Sequence, residues 1–509
     1  MITFNMTNVF KQILKKNQNL FSAFEQVAEH FPKRIALIGN GGRGKSYTYQ
    51  DVKTLAGKIA KVLSSDSSSK GSEIGLLSEN RPEWGIAYLA VIASGKTVIP
   101  IDANLKENEI NFIIDHSNLK ALFVSKKYEQ MLSGKKNLRL FSFEEDSSNY
   151  WKDHCDTGNS QIKSDTNNIA ILIYTSGTTG APKAVELTHQ NLLSNLYGIN
   201  AAFDFNQNDI FLSVLPLHHT FEATCGFLTP LMSGATIVYA RSLKSKEIME
   251  DIAFNNITLM CGVPLLFEKM YHSICRGIKS SPIYQRALFK IFFIVISISW
   301  YFGIKSGKKL FRCFRQKTGL GSIRMFVSGG AAIPSQVSRF FNFIGFDFYQ
   351  GYGMTECSPV ITVNFPGKIK FGSVGFPIKD VEVKIHNSNN DNIGEIIVKG
   401  PNVTPGYRNN SDETAKLIKD GWLYTGDLGQ IKNGQLWITG RKKNLIVSAA
   451  GKNIYPEQLE EKLLESNYIL ESVVFGRQKK NRQGEEIFAI IVPDMERIRA
   501  EFNIHSSNP

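Results

Sequence analysis

Short apolar runs alternate with helical patterns across the first 260 residues, and this alternation constrains the fold more than any other feature of the chain. The runs RIALIG (34–39), EIGLLS (73–78) and KTVIPI (96–101) are separated by the amphipathic stretch TLAGKIAKVL (54–63) and a helix-like Trp84–Ala93. Strands spaced by helices predict an α/β fold, a mostly parallel sheet covered by helices. SSDSSSKGS (64–72) reads as a surface loop, and Asn387–Asn392 as a polar turn before the strand-like GEIIVKG (394–400). From Gly421 the texture changes to short strands and turns: GWLYTGD, GQLWITG, NLIVSAAGKNIYP. A last helix is expected over Pro456–Leu464, followed by strands at VVFG and FAIIVP.

The length of 509 residues leaves room for two to four domains. Net charge is +13, and it is local: from Lys269 to Phe346 there are thirteen Lys and Arg and no Asp or Glu. A nucleic-acid-binding protein would spread or repeat its basic surface, so the pattern points to a local anionic partner and not to nucleic acid. The six cysteines have no CxxC spacing and no companion His cluster, which argues against a disulfide scaffold or a zinc module and for a reducing, cytoplasmic compartment. Met1–Asn17 has no sustained apolar run of the kind a signal peptide needs.

Within the basic region, Ile291–Ile304 is uncharged. At 1.5 Å per residue it reaches only about 21 Å, against a hydrocarbon core of about 30 Å. Two readings stay open: a buried helix followed by a solvated basic loop, or a helix at a membrane interface with Lys305, Lys308, Lys309, Arg312, Arg315 and Lys317 on anionic headgroups. The second would put an anionic membrane surface against Ile291–Lys317.

Gly39–Ser46, GNGGRGKS, completes a phosphate-loop pattern after an apolar strand. Such a loop needs its Lys and Ser to open a helix, whose terminal amides hold the phosphates. Tyr47-Thr48-Tyr49 instead favours a strand, so the glycines are expected to connect a hairpin.

The strongest chemical signal is IAILIYTSGTTGAPKAVELTHQNLL, from Ile169. An apolar strand runs into Thr175-Ser176-Gly177-Thr178-Thr179-Gly180, then Pro182 and Lys183. Hydroxyls and amides in such a loop can wrap a triphosphate, and Lys183 adds a mobile cation for the outer phosphates. The run resembles the phosphate loop of the adenylate-forming (AMP-binding) superfamily, and matching segments follow in the expected order. Leu215–Glu222, LPLHHTFE, is similar to the border of the carboxylate-substrate pocket; Ser328-Gly329-Gly330-Ala331-Ala332 to the loop over adenine; and Gln350-Gly351-Tyr352-Gly353-Met354-Thr355-Glu356 to the tyrosine–glycine–x–threonine–glutamate motif. Tyr424-Thr425-Gly426-Asp427 resembles the ribose-binding motif, and Gly440-Arg441-Lys442-Lys443 the hinge.

That resemblance implies a large N-terminal ATP and acyl-substrate domain (1–440) of β-sheets flanked by helices, and a small mobile α+β C-terminal domain (441–509) turning about Lys443. It implies ATP, Mg²⁺ and coenzyme A. Tyr352 would stack on adenine, Thr355 would donate to the α-phosphate, and Glu356 would hold Mg²⁺, with Thr178 at a phosphate or metal-linked position. Asp427 would accept the ribose hydroxyls, Arg441 would bridge ribose and phosphate, and His219 would flank the substrate carboxylate. Gly329, Gly330, Ala331, Gln350, Gly351 and Gly353 complete the expected nucleotide set. The His218-His219-Thr-Phe-Glu form and the helix-rich Val263–Lys317 look most like long-chain fatty acyl-CoA synthetases, with a fatty acid as substrate and CoA, or alternatively an acyl carrier protein, as thiol acceptor.

Two departures stand out. Ala184 replaces a usual glycine, and only 66 residues follow Lys443, with no position matching the family's adenylating lysine. The small domain therefore reads as shortened, which keeps open a non-catalytic acyl- or nucleotide-binding module.

Overall fold

The computed structural model describes residues 6–16, 18–65, 73–135, 137–154, 165–175, 182–447, 453–464, 466, 468–478 and 484–502. By contact they group into two units: the chain up to Val381 with Gly400–Lys416, and Glu382–Lys399 with the chain from Leu417 onward.

Two sheets build the first unit. The larger has nine strands in the order Phe376–Pro377, Val360–Val363, Asp347–Gly353, Met325–Ser328, Leu259–Gly262, Ile210–Ser213, Thr236–Tyr239, Ile35–Ile38, Ser46–Thr48. Every pair from Asp347–Gly353 to Ile35–Ile38 is parallel, and the pairs at both edges are antiparallel. The second sheet has seven strands, ordered Gly406–Tyr407, Lys183–Thr188, Ile169–Thr175, Thr97–Ile101, Glu73–Leu77, Ala121–Val124, Arg139–Ser142. Its strands are parallel from Ile169–Thr175 onward, and the first two pairs are antiparallel. Strands such as Thr97–Ile101 are buried on both faces, which is why they appear in the sequence as unbroken apolar runs.

Helix Pro82–Ala93 opens with proline at its first position and is apolar all round, so it is stable only where every face is covered. It is buried throughout, in one apolar cluster with Leu37 and Ile237 of the first sheet and Ile74 and Val98 of the second.

The glycine run after the first strand is the expected hairpin connection. Ile35–Ile38 pairs antiparallel with Ser46–Thr48, and Ser46 enters a strand, not a helix. Packing explains the glycines: Gly41 has φ +60°, and a Cβ there would lie 2.4 Å from a carboxylate oxygen of Asp251. That carboxylate is fully buried and bound by Arg43 at 2.9 Å and Arg241 at 2.7 Å.

The apolar segment of the basic region differs from the buried-helix reading. The helix runs Ile283–Tyr301, starting earlier than the uncharged run because Arg286 and Lys290 fit its solvent-exposed surface. One stripe packs inward, with Phe289 and Phe293 against Phe340 and Trp300 against Phe343, and Ile296 is fully buried. The rest is exposed, although by length and composition Ile283–Trp300 would suffice to cross a bilayer. Arg315 is a correction to the basic patch. Its guanidinium is buried, lies 4.2 Å over the Phe346 ring, and donates to the carbonyls of Gly345 (2.6 Å) and Ile323. It is therefore withheld from headgroups.

The second unit is antiparallel. Its five-stranded sheet joins Glu382–His386, Gly394–Lys399, Trp422–Lys432, Ile418–Lys419 and Gln435–Arg441. Helix Pro456–Leu464 packs on the hairpin of Ile469–Gln478 and Glu485–Pro493, at the positions the sequence pattern predicts.

Candidate active site

In open α/β sheets ligands gather at the carboxyl ends of parallel strands. Here the neighbouring strands Leu259–Gly262, Met325–Ser328 and Asp347–Gly353 end at a cavity of about 630 Å³ in the first unit. Its walls are mainly apolar, from residues such as Phe203, Phe211, Val214, Cys225, Cys261 and Val327. Of the residues singled out from sequence, His219, Gly329, Gly330, Gly351, Tyr352, Gly353 and Thr355 all line it. Gly353 is required by close approach: a Cβ there would stand 1.9 Å from the Pro359 carbonyl oxygen. Gly330 turns the chain at φ +85°. Gln350 is buried within the sheet and its N–H donates to Asn364 Oδ1 at 2.9 Å, so it is not on the cavity wall; Ala331 is exposed and is not on the wall either.

A polar layer adjoins this cavity. Thr355 Oγ1 lies 3.2 Å from Thr220 Oγ1. Next to Thr355 in the chain, Glu356 is buried and accepts a hydrogen bond from Tyr407 Oη at 2.8 Å. The Tyr407 ring stands 5.3 Å under Lys183 Nζ, and Lys183 is ion-paired with Glu413. Burial, then the Glu356 charge, pushes the Tyr407 phenol upward, so it remains a donor. Hydrogen bonds from Lys183 and Lys416 hold the Glu413 carboxyl at about 2. Thr175 faces Lys183 at the open end of the Ile169–Thr175 and Lys183–Thr188 hairpin, its Oγ1 donating to the Lys183 carbonyl at 3.3 Å. Ser176, Gly177, Thr178, Thr179 and Gly180 lie outside the described residues.

His219 is held below the usual imidazole range by burial, with Asp102 opposing. Its ring stands 4.1 Å from that of His218, whose pKa falls to about 4 through burial and the neighbouring ring. Burial thus favours the uncharged ring at both positions and leaves His219 a neutral hydrogen-bonding group on the cavity wall.

Among the described residues no group of three or more His, Cys, Asp or Glu could form a protein-only metal cage. A lone buried carboxylate suits Mg²⁺, which binds through one or two carboxylates while phosphates and water fill its octahedron. Glu356 fits that role, since among the described residues only Tyr407 bonds its carboxylate.

In the second unit two further candidates meet. Asp427 and Arg441 are paired across adjacent strands, and Arg441 Nε lies 2.9 Å from Asp427 Oδ1. Asp427 is buried and its N–H donates to Thr425 Oγ1 at 3.1 Å, whereas Arg441 is more than half exposed. Lys443 is exposed in the short helical turn Lys442–Asn444 that follows the strand.

Tyr407 and Glu413 went unsuspected. Their one sequence cue is the Pro-Gly-Tyr turn at 405–407; the pairing of Gly406–Tyr407 with Val185 and Glu186, more than 200 residues earlier, puts them beside Lys183.

Known proteins resemble this chain at the level of family and fold. A family model described as AMP-binding enzyme matches residues 24–408. The peroxisomal long chain acyl-CoA synthetase 7 of Arabidopsis thaliana is 29% identical, over 90% of this chain and 71% of its own. A long-chain-fatty-acid–CoA ligase of Bacillus subtilis is also 29% identical, over 94% and 86%. Among solved structures, o-succinylbenzoate CoA synthetase from Bacillus subtilis, in complex with an acyl-adenylate intermediate, superposes with a TM-score of 0.74 at 25% identity, over 94% of this chain and 88% of that one. ATP-bound MatB from Rhodopseudomonas palustris gives 0.77 at 23% identity, covering 94% and 89%, a likeness of fold.

Proposed function

The chain belongs to the AMP-binding family of adenylate-forming acyl-CoA ligases, and from that premise we propose that it activates a long-chain fatty acid with ATP and passes the acyl group to coenzyme A. The observation that carries the substrate class is the apolar cavity of about 630 Å³, whose wall includes the polar side chains of His219, Thr220 and Thr355. An aliphatic tail gains by leaving water in such a cavity, while its carboxylate stays at the polar layer.

In the first half-reaction a carboxylate oxygen attacks the α-phosphorus of ATP; the bond to the bridging oxygen breaks, and pyrophosphate leaves with its electron pair. Neutral His219 orients the carboxylate without the ion pair that would blunt its nucleophilicity. The Thr355 hydroxyl is available to donate to the α-phosphate oxygen as charge spreads there. Lys183 neutralises the outer phosphates once they replace Glu413 as its partner. When bound, Mg²⁺ supplies positive charge to the phosphate oxygens, and Glu356 would hold it, oriented by Tyr407. Asp427 takes the ribose hydroxyls. In the second half-reaction the CoA thiolate attacks the acyl carbonyl carbon, and AMP leaves as the thioester forms. We propose that residues 441–509 turn about Lys443 between the two steps, and that the reaction takes place in the cytoplasm.

Acid-dependent exchange of labelled pyrophosphate into ATP, run from acetate to palmitate, tests this reading. Exchange that rises with chain length supports it; exchange indifferent to the acid, or absent with every acid, overturns it.

A further inference from the structure

We propose that the outward face of helix Ile283–Tyr301, with the exposed cations that follow it, docks on the surface of an anionic lipid bilayer, the helix lying in the plane of the headgroup boundary. Tyr284, Leu288, Ile291, Val295, Ile298 and Phe302 recur at intervals of four, three, four, three and four residues, which places them in one stripe. All are at least 49% exposed, a large apolar face for water to cover. The opposite side of the helix, at Phe289, Phe293 and Ile296, is packed on the protein core. A helix held to its protein along one side cannot be surrounded by lipid, so this one lies on the bilayer and does not cross it.

Charge selects the occupant. Lys305, Lys308, Lys309, Arg312 and Lys317 follow the stripe and are exposed, and no acidic side chain occurs between Lys269 and Phe346 to offset them. Each cation near an anionic membrane adds about 1 kcal/mol of attraction, on top of apolar insertion. A second copy of the chain would set like charges against each other across the face, so a homodimer is disfavoured there. The proposal is independent of the ligase reading, and its failure would leave pyrophosphate exchange untouched.

The test is sedimentation of the full chain with phosphatidylcholine vesicles, with and without phosphatidylglycerol. Binding should require the anionic lipid and weaken with salt. The triple variant Ile291→Glu, Val295→Glu, Ile298→Glu should lower the partition coefficient at least tenfold, and Lys305→Glu, Lys308→Glu, Lys309→Glu should lower it by roughly 100-fold, on anionic vesicles only. Ile291→Trp provides a reading independent of whether the triple variants fold: its fluorescence should shift to the blue when anionic vesicles are added. Absence of sedimentation, equal binding to both vesicle types, binding unchanged in the apolar triple variant, an unshifted Ile291→Trp spectrum, or a dimer in light scattering that the apolar triple variant abolishes would each overturn the proposal.

Discussion

Glu222 offers a perturbation whose size follows from the structure. It opens the π-helical turn Glu222–Leu228 with its side chain fully buried, and among the described residues neither carboxyl oxygen has a hydrogen-bond partner of ordinary geometry. Burial pushes its pKa from 4.5 up to about 8, and nearby Ser213 offsets only a small part. A carboxyl whose folded pKa lies above its unfolded value binds its proton more tightly when folded. Stability from this group is therefore complete below about pH 4.5, declines as pH rises, and levels off above about pH 8. At about 1.4 kcal/mol per unit of difference, the group costs roughly 3 kcal/mol more at pH 8 than at pH 5. Glu222→Gln keeps the shape and removes the titration. Urea unfolding of both proteins from pH 5 to pH 8 isolates the effect, because every other titrating group cancels in the difference. The variant should match the parent near pH 5 and exceed it by about 3 kcal/mol at pH 8. Parallel curves, or a variant less stable at pH 8, would show that the carboxyl is ionised and paired, and would refute the reasoning.

Asp427→Ala should weaken ATP binding by about 10- to 100-fold, the worth of hydrogen bonds to a charged group, whereas Lys45→Ala should leave it unchanged, since Lys45 pairs with Glu145 at the surface; nucleotide titration by calorimetry separates them, and the reverse order would revive a phosphate loop at Gly39–Ser46. In the acid series, each added methylene should raise kcat/KM up to about fourfold until the cavity is filled, and a flat series would remove the tail from the cavity. Gly353→Ala should destabilise by about 1–3 kcal/mol and abolish exchange because its Cβ meets the Pro359 carbonyl. Gly351→Ala, whose nearest neighbour is the Thr362 oxygen at 3.5 Å, should fold normally; equal melting temperatures for the two would contradict this packing.

What could be read from the sequence follows from the range of the forces involved. EIGLLS and KTVIPI became parallel strands because those stretches are buried on both faces, a local condition that composition records, whereas in the RIALIG strand only Ala36 and Leu37 are buried. The hairpin at Gly39–Ser46 was likewise legible, from the three residues Tyr47-Thr48-Tyr49 after it. The Gly329–Gly330 and Gly351–Thr355 segments met at one cavity because each follows or closes a parallel strand, so order along the chain becomes adjacency in space. Tyr407 beside Glu356 and Lys183 had no such cue: the contact depends on a two-residue strand pairing with one far back in the chain, and no spacing records it.

Arg315 shows the same limit from the side of charge. Composition treats it as one more cation in a basic run, yet its guanidinium is committed to two carbonyls and an aromatic face, while Lys305, Lys308, Lys309, Arg312 and Lys317 stay exposed. A buried cation carries a desolvation cost that its partners offset and adds little field outside the fold; an exposed one keeps its hydration and contributes to the external field. The surplus charge of the region is therefore divided between two jobs, and only the exposed share can attract a membrane. Arg315 holds the carbonyls of Gly345 and Ile323, next to the strands Met325–Ser328 and Asp347–Gly353 that end at the cavity, so its guanidinium is spent on the loops that lead into those strands. The cations of this segment thus fall into two sets by burial: Arg315 is committed inside the fold, and the exposed set is the one on which the proposed lipid docking rests.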